Sequence, residues 1–387
     1  MIRRQVLALA LAALVAAPVA HALDGRQAAA LLRIAQKASG LTAKAKVRVV
    51  VERPAAFERR RVRSLDRRYP PAARAHDEGV LRALGVASGG PGVLRKALLA
   101  IDTRTQIYDP LTRTAYVRAG PTERAAALQG VVHALQDQNF DLRRVVRLPP
   151  GSEAAISAAA AVEGHARLVA DVLVPRRLAA HGGSKLTRFV QLERGFSRDV
   201  GLRFASELRN LGGAKAVNDA LRRLPTTSEQ VFHLDKYLEQ ERARPIVLPV
   251  DAAGLTLASD GRFGELEVRA LLAVFGVPRL DHAAAGWGGG RTALYRGGGG
   301  EAAAVVLEWD TETDALEWAE AAASYVNEAF DAAVPGPPPT SACEASACWQ
   351  IGVRGIAFVR EGERTALVVS DTVARASAVA RALVPSP

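Results

Sequence analysis

The segment Gln129–Leu142, QGVVHALQDQNFDL, constrains the fold more than any other stretch of the chain. Leu128, Val132 and Leu135 recur at i, i+4 and i+7, the spacing of one helical face, and Gln129, His133 and Asp137 lie four apart on the face beside it. The helix is expected to begin near Pro121 or Thr122, because a first-turn proline gives up an N–H that would have had no partner. Gly130 stands inside it at a cost of about 1 kcal/mol relative to alanine. Drift and a close backbone approach both explain that glycine. A helix that turns a His and other polar groups toward one groove makes a natural wall for a metal site. The usual form is His-Glu-x-x-His, with both rings on one zinc ion and the Glu activating its water.

On the N-terminal side, Asp24 is placed to cap a helix running to Ser39, with Gly40 as its stop. Lys46–Glu52 reads as a strand that Pro54 ends, and a basic helical segment follows. Helices are expected over His76–Leu84 and Val93–Ala100. His76, Asp77 and Glu78 are adjacent, so on a helix they point apart and make a poor ligand set. Two short strands, Gln106–Tyr108 and Ala115–Arg118, flank DPLTR, which is turn chemistry. Ser152 can cap an Ala-rich helix that reaches about Val174 and carries Glu163. Leu186–Arg209 reads as helical in two pieces around Gly195 and Gly201, and Lys215–Arg223 as a further helix. Ser228 begins a short helix, and His233 follows it.

From Ile246 the texture changes. IVLPV reads as a strand, Gly264–Phe275 as a helix, and Arg291–Tyr295 with Ala303–Glu308 as paired strands around Gly297–Gly300. Those glycines form no phosphate loop, since no Gly-Lys-Ser/Thr follows them. Thr311–Ala332 is a helix with Asp314, Trp318 and Tyr325 at roughly helical spacing. Three alternating strands come next, and Asp371 caps a last helix to about Leu383. The class is α+β, with short N-terminal strands and a C-terminal α/β portion holding a small antiparallel sheet. The regions are 1–22, 23–106, 107–245 and 246–387. Cys343 and Cys348 lie five apart with no other ligand residues nearby, so a short-loop disulfide is expected within the Pro-rich loop 335–348.

Arg3 and Arg4 precede an apolar run from Val6 to Val19 that closes in Ala20-His21-Ala22, the parts of an export leader cut after Ala22. A membrane anchor needs roughly 20 apolar residues, and Pro18 interrupts this run. The expected location is secreted or extracytoplasmic, without a membrane span. A hydrophobic share of 49% and a charged share of 24% are those of a globular chain rather than a disordered one. The net charge of +11 admits attraction to nucleic acid or to anionic envelope polymers. The densest cluster, Arg59, Arg60, Arg61, Arg63, Arg67 and Arg68, has only Tyr69 as an aromatic neighbour, so base stacking is poorly supported. A solvated basic face is the preferred reading, and no nucleic-acid partner is expected.

The segment QGVVHALQDQNFDL resembles the HELTHALQDQHFDL-type segment of a family of secreted or surface bacterial and archaeal zinc metallopeptidase-like proteins. The match is closest in ALQDQ-x-FDL. Other stretches resemble the family in the same order: Tyr108–Val117, AVEGHARL around Glu163, Pro225–Leu238, Gly264–Leu272, Ala283–Tyr295 and Leu307–Ala319. The resemblance implies a mainly helical metallopeptidase-like core over 107–245. It sets the first zinc His on Gln129, the catalytic Glu on Gly130, the second His on His133 and the third ligand on Glu163, and it puts Gly290 where relatives have Asp. On the residues alone, Glu163 would pair with Arg167 at i,i+4. His165, roughly 200° round the axis from Glu163, cannot stand in for it. Asp137, one turn beyond His133, could join it. His233 is a candidate to stabilise an oxyanion, against a hydrogen-bonded structural role.

Zinc catalysis needs three protein ligands and a water, and here the set is reduced to His133 and Glu163. No catalytic group is intact and no cofactor is expected. The expected function is that of a secreted, catalytically inactive relative of a zinc metallopeptidase, serving in binding or in the envelope. The alternatives are an active hydrolase with a rebuilt metal site and a binding module for cell-wall or other anionic polymers. A peptide or an envelope polymer would be the partner.

Overall fold

The structure, a computed structural model, describes residues 20–170, 182–330 and 343–384. The chain is α+β. It opens with β1 (Ala20–Ala22), α1 (Gly25–Ser39), β2 (Arg48–Glu52), α2 (Pro54–Arg68), α3 (Pro71–Ala83), α4 (Val93–Ile101), β3 (Gln106–Asp109) and β4 (Thr114–Arg118). The four strands form one sheet in the order β1-β2-β4-β3. Strands β2 and β4 run parallel, which demands the long crossover that α2, α3 and α4 supply. Asp24 caps α1 by accepting from the Arg26 N–H at 3.1 Å, and Gly40 ends it with a left-handed φ of 68°. Helix α3 begins at Pro71, ahead of the expected His76, because proline is well suited to a first turn. Strand β3 starts at Gln106, so the small sheet straddles the region boundary read there.

The middle of the chain is helical: α5 (Glu123–Phe140), α6 (Arg143–Val146), α7 (Glu153–Ala170), α8 (Lys185–Gly195), a π-helical turn at Phe196–Val200, α9 (Gly201–Arg222), α10 (Ser228–Phe232) and α11 (Leu234–Glu239). The apolar stripe of α5, with Leu128, Val132 and Leu135, packs with Leu31 of α1 and with Ala115 and Val117 of β4. Helix α7 touches α9 at backbone distance. A Cβ added at Gly164 would lie 2.0 Å from the Gly201 carbonyl oxygen.

The C-terminal region holds β5 (Asp251–Ala252), β6 (Leu255–Arg262), α12 (Glu265–Phe275), α13 (Leu280–Ala284), β7 (Trp287–Gly297), β8 (Gly300–Trp309), α14 (Glu312–Phe330), β9 (Ala347–Ile351), β10 (Arg354–Glu361), β11 (Arg364–Ser370) and α15 (Val373–Leu383). Its sheet is antiparallel and broader than the small one expected, with seven strands in the order β5-β6-β7-β8-β11-β10-β9. Alternate residues serve opposite faces. Val305, Leu307, Phe358 and Leu367 meet Leu81, Leu271 and Trp318 on one side. Ala304, Val306, Ala357 and Val368 meet Val379 and Leu383 of α15 on the other. Ile246–Val250 is not a strand: Pro249 lacks an N–H to pair, and Val247 and Val250 are 81% and 73% exposed. Thr372, rather than Asp371, caps α15.

Cys343 and Cys348 form a disulfide. The prolines of its loop, residues 1–19 of the expected leader and the expected end of the Ala-rich helix at Val174 lie outside the described residues. Ala20–Ala22 pair along β2. No helix among the described residues is long and apolar enough to cross a membrane.

Two polar contacts fasten the large sheet to the helices. Arg262, at the end of β6, pairs with Glu153 of α7 at 3.0 Å, with Glu193 of α8 at 3.9 Å and with Glu267 of α12. His76 of α3 is buried, with Nδ1 at 2.8 Å from Ser259 Oγ and Nε2 at 2.8 Å from Thr292 Oγ1, on β6 and β7. Burial, with Arg291 adding to it, pushes the His76 imidazole down to about 4.

Two stability measurements follow from this packing. Gly164→Ala gains about 1 kcal/mol of helix propensity but forces α7 off α9, and overpacking costs about 1–3 kcal/mol, so a net loss is expected in urea unfolding. His76 remains neutral in the fold and takes up a proton more readily when unfolded. Its contribution is therefore full above pH 6.5 and falls between there and about pH 4. The stability gap between the wild type and His76→Gln should shrink across that window, and a constant gap would show that His76 does not titrate in this way.

Candidate site on helices α5 and α7

Gln129, His133 and Gln136 share one face of α5, because positions i, i+4 and i+7 stack along a helix. That face is turned to α7 rather than to solvent. Gln129 Nε2 donates to Glu163 Oε1 at 2.5 Å, and His133 Nε2 lies 3.4 Å from Glu163 Oε2. The three residues assigned to the first His, the second His and the third ligand thus meet at one point. The i,i+4 ion pair of Glu163 with Arg167 does not form. Burial pushes the Glu163 carboxyl up, but the hydrogen bond and charge of His133, then Arg167 and Gln129, outweigh it and hold the group below its ordinary range.

The buried Gln136, 0% exposed, links both histidines. Its Nε2 donates to the Val162 carbonyl at 2.9 Å and lies 3.0 Å from His165 Nδ1, while its Oε1 lies 2.8 Å from His133 Nδ1. A carbonyl only accepts, so the amide orientation is settled by Val162. His133 Nδ1 must then carry a proton, and His165 Nδ1 must accept one. Burial, with the charges of Arg209 and His133, pushes His165 down to about 3, in keeping with a neutral ring. Tyr108 completes the wall, its ring stacked on His133 at a centroid distance of 6.2 Å.

Asp137 does not join His133. Its carboxylate accepts from Tyr108 Oη and from the Leu142 N–H, each at 2.8 Å, so it pins the end of α5 to β3. His233 bonds Glu265 Oε1 of α12 at 2.9 Å, and none of Gln129, His133 or Glu163 is among its partners. Gly130 faces β4, where an added Cβ would lie 2.7 Å from the Ala115 Cβ. Close packing therefore accounts for this glycine. Gly290 has no more room, since a Cβ there would meet the Phe263 carbonyl oxygen at 1.9 Å.

Two atoms 3.4 Å apart match a pair of ligands on a tetrahedral ion with bonds of about 2.1 Å. The third group does not fit. Gln129 turns its NH2 toward the carboxylate, because its oxygen would oppose the carboxylate oxygen, and an NH2 offers a metal no lone pair. No base stands at position 130.

The basic cluster on α2 divides. Arg61 is buried, contrary to a solvated face, with Nη1 donating to the carbonyls of Leu99 and Asp102. Arg60 clamps Glu52 and lies over the Tyr116 ring, whereas Arg59, Arg63 and Arg67 face solvent. Elsewhere Glu229, Glu241 and Asp310 approach closely enough to share an ion, and the Lys236 ammonium sits among them, 3.6 Å from Glu229 and 2.7 Å from Glu241. Burial, with the charge of Glu265 adding, pushes Glu229 up to about 9 against the pull of Lys236.

A family model described as a domain of unknown function (DUF8575) matches residues 255–380, the stretch from β6 into α15. No curated protein and no solved structure matches the chain. The family match covers the large sheet except β5 and leaves out α5 and α7.

Gln136→Leu would leave both histidine Nδ1 atoms without their partner, while the Val162 carbonyl would keep its helical bond. A buried polar group left unpaired costs about 1–3 kcal/mol, so a loss of at least about 2 kcal/mol is expected in urea unfolding. A neutral result would mean that water replaces the amide.

Proposed function

We propose that this is an extracytoplasmic binding protein built on a metallopeptidase-like helical core whose hydrolytic centre is inert. The observation that carries the reading is the hydrogen bond from Gln129 Nε2 to Glu163 Oε1. A neutral amide donor stands where the resemblance sets a zinc-binding imidazole, and it satisfies the carboxylate that would otherwise face the ion. Gly130 supports the same conclusion, because restoring a base there requires α5 and β4 to separate. With the polar face of α5 satisfied by α7, the helix pair is left to a holding or structural role rather than to cleavage. Export rests on the charged, then apolar, then small-residue pattern of the first 22 residues. Zinc is not expected to be retained.

A second reading, an active hydrolase with a rebuilt metal site, draws on the 3.4 Å separation of His133 Nε2 and Glu163 Oε2. Elemental analysis of the full chain, incubated with zinc and dialysed, separates the two. Well under one zinc per chain and no peptide-library cleavage are expected. Stoichiometric zinc that is lost in His133→Ala, together with cleavage lost in the same variant, would overturn the inert reading.

A further inference from the structure

Glu229 of α10, Glu241 just past α11 and Asp310 directly after β8 come from three separate parts of the chain, and the oxygen atoms they offer lie within 4.8 Å of one another. Hydrogen bonds to the backbone hold each residue in place without help from the cluster. The Glu229 carbonyl accepts from the His233 N–H at 2.8 Å, the Glu241 carbonyl accepts from Gln230 Nε2 at 2.5 Å, and the Asp310 N–H donates to the Gly286 carbonyl at 2.7 Å.

The Lys236 ammonium sits among the three acids and does not serve them equally. Its Nζ donates to Asp310 Oδ2 and to Glu241 Oε1, the latter at 2.8 Å, but it lies 3.6 Å from Glu229 Oε1, beyond hydrogen-bond length. Glu229 can least go unserved. It is 2% exposed, and among the described residues its Oε1 accepts no hydrogen bond. A buried carboxylate is expected to be paired or to hold an ion, and an orphaned oxygen at such a place points to a ligand. Arg244, beside Asp310, gives one arm to Glu363 and the other to the Asp310 carbonyl, so it offers Glu229 nothing. One ammonium thus stands against three acids, and the most enclosed of them points into the cluster with its Oε1 unbonded.

We propose that Glu229, Glu241 and Asp310 form a binding site for a hard divalent cation of the calcium type, which enters by displacing the Lys236 ammonium. An all-oxygen ligand set suits calcium, magnesium or manganese rather than zinc. Calcium–oxygen bonds of about 2.3–2.6 Å let oxygens up to about 5 Å apart share one ion, and water completes its shell. Lys236 can leave, because its side chain is 22% exposed and its charge rides on a flexible stem. The ion takes all three acids as carboxylates, so any proton on Glu229 is released on binding. Two positive charges then replace one and reach Glu229 as well as its neighbours. The bound ion ties α10 and the segment after α11 to the large sheet through Asp310.

The full chain, stripped of metal with a chelator, is titrated calorimetrically with calcium chloride and with magnesium chloride at matched ionic strength, and its thermal unfolding is followed with and without calcium. One calcium per chain is expected, with magnesium weaker because it gives up water reluctantly. Calcium should also raise the unfolding temperature, since it binds the folded chain. Glu229→Gln should weaken calcium binding at least about tenfold and remove the thermal shift. Without calcium that variant should be no less stable than the wild type, because the amide carries no unpaired charge. Lys236→Met, which removes the competing ammonium, should bind calcium more tightly, and if it unfolds without an ion, calcium should restore its folding. Glu301→Gln, an acid 76% exposed elsewhere on the large sheet, should change nothing. Magnesium binding as tight as that of calcium and equally sensitive to Glu229→Gln would keep the site and make the smaller ion its occupant. Absence of saturable binding by either ion, binding that survives Glu229→Gln, or a Lys236→Met chain no tighter than the wild type would overturn the proposal. Its failure leaves the reading of α5 and α7 untouched, because that reading turns on His133.

Discussion

The arrangement depends on the approach of α7 to α9 at Gly164 and Gly201, where no side chain separates the two backbones. Apolar side chains usually set helix spacing, and here their absence lets α7 sink into the helical layer. At that depth His165 is buried against α5, and Glu163 meets α5 while part of it still reaches solvent. Polar groups brought so far inside must find partners or cost several kcal/mol. The amide of Gln136, by serving Val162, His133 and His165 together, meets much of that demand. The start of α7 is fixed separately, through Glu153, to Arg262 of the large sheet. One helix thus reports the position of the sheet to the candidate site.

The same compactness explains why this helix pair is suited to holding and not to hydrolysis. An activating carboxylate must stand free beside a bound water. On α5 the position assigned to it presses on Ala115, and the position of the first ligand spends its amide on Glu163. Neither change reads as damage once the packing is considered. A glycine that brings α5 onto β4 and a glutamine that satisfies a half-buried carboxylate both stabilise the closed arrangement. What is lost is the vacancy that chemistry requires.

The face of α5 was legible because helical spacing alone puts Gln129 and His133 together, and the resemblance to a known family supplied Glu163. The same spacing also contained Gln136, three residues after His133. Asp137 drew attention instead, since an acid looks more like a ligand than an amide does. Its real partners, Tyr108 and the Leu142 N–H, are a strand residue and a backbone group that no pattern on α5 reveals. Strands and helices of the C-terminal region followed from alternation and caps, whereas the seven-strand order is a property of pairing across long separations. Ile246–Val250 misled because its apolar residues alternate like a strand while its proline prevents pairing.

Charge inside the protein is distributed unevenly, and its matched arginines mark where elements are joined. Arg262 sits among Glu153, Glu193 and Glu267, and burial, which opposes its charge, is overcome by those carboxylates, so it stays firmly protonated. Arg60, Arg61 and Arg269 likewise have acids of their own. An arginine matched in this way stiffens a joint and has nothing left to offer a ligand.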